Sequence, residues 1–212
     1  MKDRLAVICT RNPTEILLRT IEGLKRFYSD FDIVIVDSDS TDTSVFDSVP
    51  NDCIIEYAKN KNWELGAWTY AFQKYNNYEA YMCIQDTLVP TTRIPNLEFN
   101  NTLYSFHYTA TLEAGGYFDE LQRVYSGTDL HFISKLSPNR IIVGTAHTSF
   151  ITNNVSMSNI LQLENAYRMK GIVKTKVHSW LSERTGGLLT DFIGTRRLDI
   201  TPYFIKIPGG RT

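Results

Sequence analysis

The amino-acid sequence predicts an α/β fold, with a mostly parallel, Rossmann-like sheet sandwiched between helices in a single domain. Short apolar runs of the kind that form buried strands alternate with stretches whose apolar residues recur at helical spacing. Hairpin signals are few, so successive strands are joined through helices, and such connections give parallel pairing. The length of 212 residues suits one well-packed domain, and two full domains are not expected.

The predicted elements follow one another closely along the chain. After the first apolar run comes a tight loop in which Thr14 is typical of a helix N-cap, and helical spacing then continues to about Tyr28. In order, the sequence predicts strand 5–10, helix 15–28, strands 33–36 and 53–57, helix 65–75, strand 81–84, helix 130–136, strand 141–144 and helix 160–169.

The strand at 81–84 brings a carboxylate to the edge of this sheet. Its apolar residues run directly into Gln85, Asp86 and Thr87, and Pro90 ends the extended segment. Open α/β sheets keep their chemistry at the carboxyl ends of the strands, where Asp86 is well placed to hold a divalent cation against a phosphate. The alternative is that Asp86 only ends the strand and begins a turn.

Composition argues against a nucleic-acid partner and against a secreted or membrane-spanning domain. The chain has 22 basic and 23 acidic residues without a polybasic cluster, so a nucleic-acid partner is not supported. Cys9, Cys53 and Cys83 lie in or beside apolar runs without metal-site spacing, which indicates reduced thiols in a cytosolic compartment. No signal peptide and no apolar run of about 18 residues is present. We therefore expect a cytoplasmic domain without a membrane span.

The loop after the first strand argues against a dehydrogenase. A dinucleotide-binding enzyme places the glycine-rich pattern G-x-G-x-x-G at this point, so that the backbone can approach a pyrophosphate. This chain has Thr10, Arg11, an asparagine and a proline there instead. The sequence therefore excludes a Rossmann oxidoreductase.

The segment from Asp37 to Thr41 allows three interpretations. It reads as D-x-D-x-T, the pattern of phosphatases in which Asp37 would attack phosphorus and Asp39 would serve as acid and base. It also reads as the polar end of a nucleotide-binding strand, where Asp37 would bind a uracil or ribose. The third interpretation is an ordinary turn with local side-chain caps.

Taken together, these segments resemble the GT-A-fold glycosyltransferases. The T-R-N-P loop, the V-D-S-D-S-T-D strand end, the segment 60–68 and Gln-Asp-Thr at 85–87 follow the order seen in that family. The segment 60–68 is similar to the N-x-G-x-D-x-G-A signature of bacterial polysaccharide and rhamnan-type transferases, although Trp63 and Glu64 stand near the usual Gly and Asp. At 85–87, where Gln-Asp-Thr stands, a full D-x-D is absent. The resemblance covers residues 5 to about 130 and extends to amino-terminal transferase domains of multidomain chlorovirus proteins that build capsid glycans.

The resemblance implies a role for most of these residues. Asp86 is implied as the ligand of Mn²⁺ or Mg²⁺ bridging the two phosphates of a nucleotide-sugar, with the late His178 as a possible further ligand. The residues implied in donor binding are Thr10, Arg11, Asp37, Asp39, Asn60, Glu64, Gly66, Gln85, Thr87 and Arg184.

A second motif is similar to the G-G-F-D-E…E-D arrangement of inverting members of the family. It runs from Gly115 to Asp129, and the resemblance implies Asp129 as the general base that deprotonates the acceptor hydroxyl. Asp119 and Glu120 are the substitutes. The alternative is that Asp129 merely caps the predicted helix 130–136.

The expected function is therefore transfer of a hexose or deoxyhexose, glucose- or rhamnose-like, from a UDP-sugar to a glycan hydroxyl with inversion. We expect residues 1–100 to bind the nucleotide-sugar and residues 101–212 to bind the acceptor and carry the catalytic base. The resemblance also implies a longer multidomain polypeptide, in the host cytoplasm if the chain is viral. The alternatives are a D-x-D-x-T phosphohydrolase and a non-catalytic domain that binds carbohydrate or nucleotide-sugar.

Overall fold

The fold is an α/β sheet of seven strands with helices on its faces. A computed structural model describes residues 2–59, 63–100, 102–105, 109–111, 118–128, 131–135, 137, 139, 141–143, 149–158, 161–162 and 196–208. The strands are β1 Arg4–Thr10, β2 Asp32–Asp37, β3 Ile54–Tyr57, β4 Ala80–Gln85, β5 Leu88–Pro90, β6 Thr102–Ser105, β7 Thr109–Thr111, β8 Ile141–Val143, β9 Phe150–Asn153, β10 Arg196–Asp199 and β11 Phe204–Lys206. The helices are α1 Ile16–Phe27, α2 Trp63–Lys74 and α3 Phe118–Tyr125, and residues 154–158 and 161–162 are also helical. Short 3-10 helices lie at Ser44–Ser48, Ile133–Lys135 and Thr201–Tyr203.

The main sheet has the strand order β10-β6-β9-β4-β1-β2-β3. Strands β1, β2, β3 and β4 pair in parallel, and β6 pairs in parallel with β10. Strand β9 runs antiparallel to both of its neighbours, β4 and β6. The mostly parallel sheet that the sequence predicts is therefore confirmed.

Side-chain alternation along the strands divides the buried core between the two faces of the sheet. Ile8 on β1 and Ile84 on β4 pack with Leu17 and Ile21 of α1 on one face. On the other face, alternate residues of the same strands pack with Trp68 of α2 and its neighbours. Because a strand points successive side chains to opposite faces, consecutive residues at a strand end also face opposite helices.

The ends of β1, β2, β3 and β4 lie side by side and form what we call the carboxyl edge. Thr10 pairs with Asp37, and Asp37 pairs with Tyr57. On the other side of β1, Cys9 pairs with Gln85. The register therefore brings polar residues that are far apart in sequence to a single edge.

A short antiparallel pair, β5 with β11, extends this edge. Pro90 of β5 lies so close to α1 that a Cβ at Gly23 would stand 2.8 Å from the Pro90 carbonyl oxygen. Glycine at position 23 thus permits the close approach of helix and strand.

None of the helices in the described part of the chain is both long enough and apolar enough to cross a membrane.

The predictions of local structure in the second half of the chain had mixed outcomes. Within the predicted helix 130–136, the described residues form a turn followed by the 3-10 helix Ile133–Lys135. The strand predicted at 141–144 is confirmed as β8, Ile141–Val143, which pairs with β7 outside the main sheet. Helix α3 was not predicted, although Phe118, Leu121 and Val124 recur at helical spacing. Only residues 161–162 of the predicted helix 160–169 are described, and they are helical.

Candidate functional site

Asp86 lies at the carboxyl edge, directly after β4, and its carboxylate is held by β1. The residue is only 3% exposed. Its Oδ2 accepts a hydrogen bond of 2.6 Å from the Thr10 hydroxyl. Its backbone is fixed as well, because its N–H donates to the Cys9 carbonyl at 3.1 Å and its carbonyl accepts from the Thr20 hydroxyl at 2.8 Å. The position expected for this carboxylate is confirmed, while its role as a metal ligand stays a prediction.

The groups around Asp86 fit a divalent cation that is shared with a substrate. The Asp86 carboxylate is a hard oxygen ligand of the kind that Mg²⁺ and Mn²⁺ accept, whereas the side-chain oxygens of Gln85 and Thr87 accept hydrogen bonds from Lys206. No group of three or more His, Cys, Asp or Glu side chains that could hold a metal is found among the described residues. Mg²⁺ is commonly held by one or two carboxylates plus substrate phosphates. Asp86 therefore suits a cation that also binds a diphosphate.

Asp37 ends β2, next to Thr10 in the register, and its carboxylate is engaged within its own turn. Its Oδ2 accepts a hydrogen bond of 3.1 Å from the Ser40 N–H, and its Oδ1 accepts one from the Ser40 hydroxyl. Asp37 is 3% exposed. The turn interpretation thus describes a real set of contacts, and nucleotide binding by Asp37 stays a prediction.

The loop after β1 is clamped to the loop after β2. The N–H of Asn12 donates to the Ser40 hydroxyl at 2.6 Å, and the Asn12 side-chain oxygen accepts from the Thr41 N–H at 2.8 Å. Asn12 and Asp39 both have positive φ, 51° and 64°, which asparagine and aspartate tolerate better than most residues. Arg11 and Asp39 are exposed on these loops. The two predicted donor-binding loops therefore form one unit.

Gln85 faces the opposite side of the sheet from Asp86. Its side-chain Nε2 donates to Glu64 Oε1 of α2 at 2.6 Å. Its backbone N–H donates to the Ser149 hydroxyl at 3.3 Å. Gly66 is buried in the same helix, two residues beyond Glu64. The structure thus brings the predicted residues Glu64 and Gln85 together.

Two residues at the carboxyl edge were not predicted from the sequence as site residues, and one of them is Lys206. It comes from β11, near the end of the described chain, and its Nζ donates to Thr87 Oγ1 at 2.5 Å and to Gln85 Oε1. The alternating pattern of 204–206 could have indicated a strand. Nothing in the sequence indicated that this strand pairs with β5.

The second residue is Tyr57, which ends β3 beside Asp37. It is 50% exposed. Its ring makes an edge-to-face contact with Phe46, with centroids 6.1 Å apart and an angle of 76° between the ring planes. The preceding residue, Glu56, points to α2 and accepts hydrogen bonds of 2.7 Å from Lys74 to both carboxylate oxygens. Burial raises the pKa of Glu56, but the bonds from Lys74 and Tyr75 outweigh it and leave that pKa lowered. Strand β3 is therefore anchored to α2, and this fixes the backbone that carries the Tyr57 ring.

The remaining predicted site residues fall in two groups. Asp119 is exposed at the beginning of α3, and Glu120 forms a two-point ion pair with Arg123 at 2.6 and 2.8 Å. Four other predicted residues, Asn60, Asp129, His178 and Arg184, lie outside the described residues.

Comparison with known proteins identifies the fold class. No protein-family model and no curated protein sequence matches this chain. Its structure is similar to that of the mannosyltransferase PcManGT from Pyrobaculum calidifontis, solved in complex with GDP-Man and Mn²⁺, with a TM-score of 0.51 and 10% sequence identity. The similarity covers 93% of this chain and 54% of that one. This chain thus spans about half the length of that transferase, and the expected GT-A-like fold is confirmed.

Proposed function

We propose that this chain is a metal-dependent glycosyltransferase that moves a hexose or deoxyhexose from a UDP-sugar to a glycan hydroxyl with inversion. The observation that carries this proposal is the buried carboxylate of Asp86, fixed by Thr10 at the carboxyl edge of a GT-A-like sheet. Ligands of open α/β sheets bind at this edge. The GDP-Man and Mn²⁺ held by the structurally similar mannosyltransferase support a nucleotide-sugar and a divalent cation. The uracil base, the sugar type and inversion rest on the sequence resemblance.

The chemistry of sugar transfer explains why a carboxylate belongs at this place. Breaking the bond between the anomeric carbon and the donor oxygen leaves negative charge on the departing diphosphate. A bound Mn²⁺ or Mg²⁺, held by Asp86, supplies positive charge that stabilises that diphosphate. The hydrogen bond from Thr10 keeps the carboxylate in one orientation. On the other face, the bonded pair of Glu64 and Gln85 offers polar atoms to the hydroxyls of the donor sugar.

The nucleotide is assigned to the β2 and β3 side of the carboxyl edge. Tyr57 presents an exposed ring there, and the flat face of an aromatic ring can stack on any planar base. Asp37 and the clamped loops with Arg11 and Asp39 lie beside it. This half of the site therefore accounts for base and ribose, and the Asp86 half accounts for the diphosphate.

The acceptor side of the proposal rests on sequence alone. Asp129 is assigned as the general base that takes the proton of the attacking hydroxyl, since inversion needs one base opposite the leaving group. Asp119 is the first substitute, because Glu120 is already paired with Arg123. His178 as a metal ligand, Arg184 as a diphosphate ligand, the division at residue 100, the multidomain context and the cytoplasmic location stay predictions.

The two alternatives fare differently. A phosphohydrolase needs Asp37 to attack phosphorus with a carboxylate oxygen, but both oxygens accept hydrogen bonds from Ser40. This arrangement disfavours nucleophilic attack by Asp37. A non-catalytic sugar-binding domain would share the geometry described above and is separated only by turnover.

The test is a thermal-shift panel of UDP-sugars and GDP-mannose, each with and without Mn²⁺, followed by an assay for released nucleoside diphosphate. A ligand at 100 times its dissociation constant should stabilise the fold by roughly 2.7 kcal/mol. We expect stabilisation by a UDP-sugar only with Mn²⁺, and UDP release when a glycan acceptor is added. Binding without release would favour the non-catalytic domain. A phosphoenzyme trapped at Asp37 would establish the phosphohydrolase.

A further inference from the structure

Strand β11 is fixed firmly beside the loop that carries Asp86. Phe204 at its start is 4% exposed and its ring stacks on Tyr28 of the α1 core, with centroids 6.0 Å apart. At its other end, the N–H of Ile207 donates to the Thr87 carbonyl at 2.9 Å. Because side chains alternate along a strand, Lys206 projects to the same side as buried Phe204, whereas Ile205 is 56% exposed on the other side. The backbone of β11 is therefore fixed beside the Asp86 loop, and the exposed side chain of Lys206 extends from it.

The ammonium of Lys206 reaches the residues on both sides of Asp86. It donates to the side-chain oxygens of Gln85 and Thr87, across 121 and 119 positions of sequence. These two bonds orient the ammonium towards the loop that carries Asp86. A diphosphate binds an ammonium more strongly than neutral oxygens do, because the attraction is between opposite charges.

We propose that Lys206 is a donor-binding residue that holds the diphosphate of the nucleotide-sugar beside Asp86. This inference rests on the proposed function, since it takes that function's donor as the ligand. Lys206 and an Asp86-bound cation would then share the negative charge of one diphosphate. Donor binding should consequently survive metal removal in part, and that remainder should depend on Lys206.

The competing explanation is that Lys206 only fastens β11 to the sheet. A fastening role predicts that loss of the ammonium lowers the melting temperature and weakens every ligand alike. A phosphate-binding role predicts a loss confined to ligands with phosphates, because the base and ribose lie on the β2 and β3 side. Comparison of uridine with UDP separates the two roles.

The experiment is titration calorimetry of the 212-residue chain with UDP, uridine and inorganic pyrophosphate, in Mn²⁺ and in EDTA. For Lys206→Met we expect UDP and pyrophosphate affinity to fall about 10- to 100-fold, the usual effect of one charged hydrogen bond, with uridine affinity changed less than about twofold. The loss should be larger in EDTA. Lys206→Arg, which keeps the charge, should recover part of the affinity. Lys2→Met is the matched control, because it removes the same charge beside Asp32 at the opposite edge of the sheet.

Each outcome decides between the two proposals. Wild-type affinity for UDP in Lys206→Met, or an equal loss for UDP and uridine, overturns the role of Lys206 and leaves the proposed function standing. A wild-type chain that binds neither UDP nor pyrophosphate, with or without Mn²⁺, overturns the proposed function and this inference with it. A loss of the same size in Lys2→Met assigns the effect to net charge and also overturns the inference.

Discussion

The hydroxyl of Thr10 donates a hydrogen bond of 2.6 Å to the carboxylate of Asp86, which lies 76 positions further along the chain. The two residues meet because β1 and β4 are parallel neighbours in the sheet. A carboxylate with 3% exposure requires polar partners, since burial of an unpaired charge is costly. The contact therefore holds Asp86 in place, and a useful variant must leave the contact intact while changing the charge.

Asp86→Asn meets that requirement. Its amide oxygen still accepts the Thr10 hydroxyl, so we expect a melting temperature close to that of the wild type. The neutral amide is a poor ligand for Mn²⁺, so the gain in UDP-sugar affinity on adding Mn²⁺ should fall by at least about tenfold. Titration calorimetry with and without Mn²⁺ measures this gain. The control is Asp47→Asn, because Asp47 is exposed on the 3-10 helix Ser44–Ser48. An unchanged Mn²⁺ response in Asp86→Asn would show that Asp86 does not bind the metal.

Tyr57 provides a test of where the base binds. If the exposed ring stacks on the nucleobase, Tyr57→Ala should weaken uridine, UDP and UDP-sugar by the same factor, equivalent to about 1–3 kcal/mol. Tyr57→Phe keeps the ring and should bind normally. Ile54, 42% exposed on the same strand, supplies the control Ile54→Ala. Equal binding by Tyr57→Ala and wild type would place the base elsewhere.

Asp37 can be tested against its own turn. Asp37→Ala removes the acceptor of the two Ser40 bonds, so we expect destabilisation by about 1–2 kcal/mol. If Asp37 also contacts the base or ribose, UDP and UDP-sugar affinity should fall equally. Ser40→Ala breaks the side-chain bond but leaves the carboxylate, and it should destabilise without a comparable loss of affinity. A loss of stability in both variants with normal nucleotide binding would support the turn interpretation.

A fourth prediction concerns acid stability far from the site. Asp30 is bound at both carboxylate oxygens by Arg93, at 2.7 and 2.8 Å. The hydrogen bonds from Arg93 lower its pKa from 3.8 to about 2. Because the unfolded chain takes up this proton more readily, the contribution is complete above about pH 4 and is lost as the pH falls towards 2. With the side chain 35% exposed, we expect about 1 kcal/mol after solvent screening.

Urea unfolding between pH 2 and 5 measures this contribution. Asp30→Asn should flatten the acid limb of the stability curve relative to the wild type. Asp52, whose carboxylate pairs with Lys25, is 71% exposed and serves as the matched control, because water screens its ion pair. An equal effect of Asp52→Asn and Asp30→Asn would contradict the special position of Asp30.

The sequence was sufficient to predict the central strands and the position of Asp86 at the end of one of them. Short apolar runs such as 81–84, bounded by polar and turn residues, favour buried strands, and a polar residue directly after such a run is expected at the sheet edge. Period-2 alternation also explains why Gln85 meets Glu64 of α2 while Asp86 meets Thr10 on the face of α1. These relationships follow from local geometry.

Other parts of the site depend on contacts that sequence spacing does not encode. Lys206 reaches Thr87 only because β11 pairs with β5 across more than a hundred residues. The D-x-D-x-T pattern at Asp37 is compatible with a nucleophile, a nucleotide ligand and a turn, and only the bonds from Ser40 show how its oxygens are used. Local chemistry therefore leaves such residues with several possible roles.

The last prediction concerns Asp129 and separates catalysis from binding. If Asp129 is the general base, Asp129→Asn should leave UDP-sugar affinity nearly unchanged while the rate of transfer falls by ~10²–10⁴. If Asp129 only caps a helix, asparagine is about as good a cap, and both activity and stability should be retained. Single-turnover transfer and donor titration on the same sample measure the two effects separately. Near-normal transfer by Asp129→Asn would move the assignment to Asp119, and a product with the donor's anomeric configuration retained would remove the need for a base of this kind.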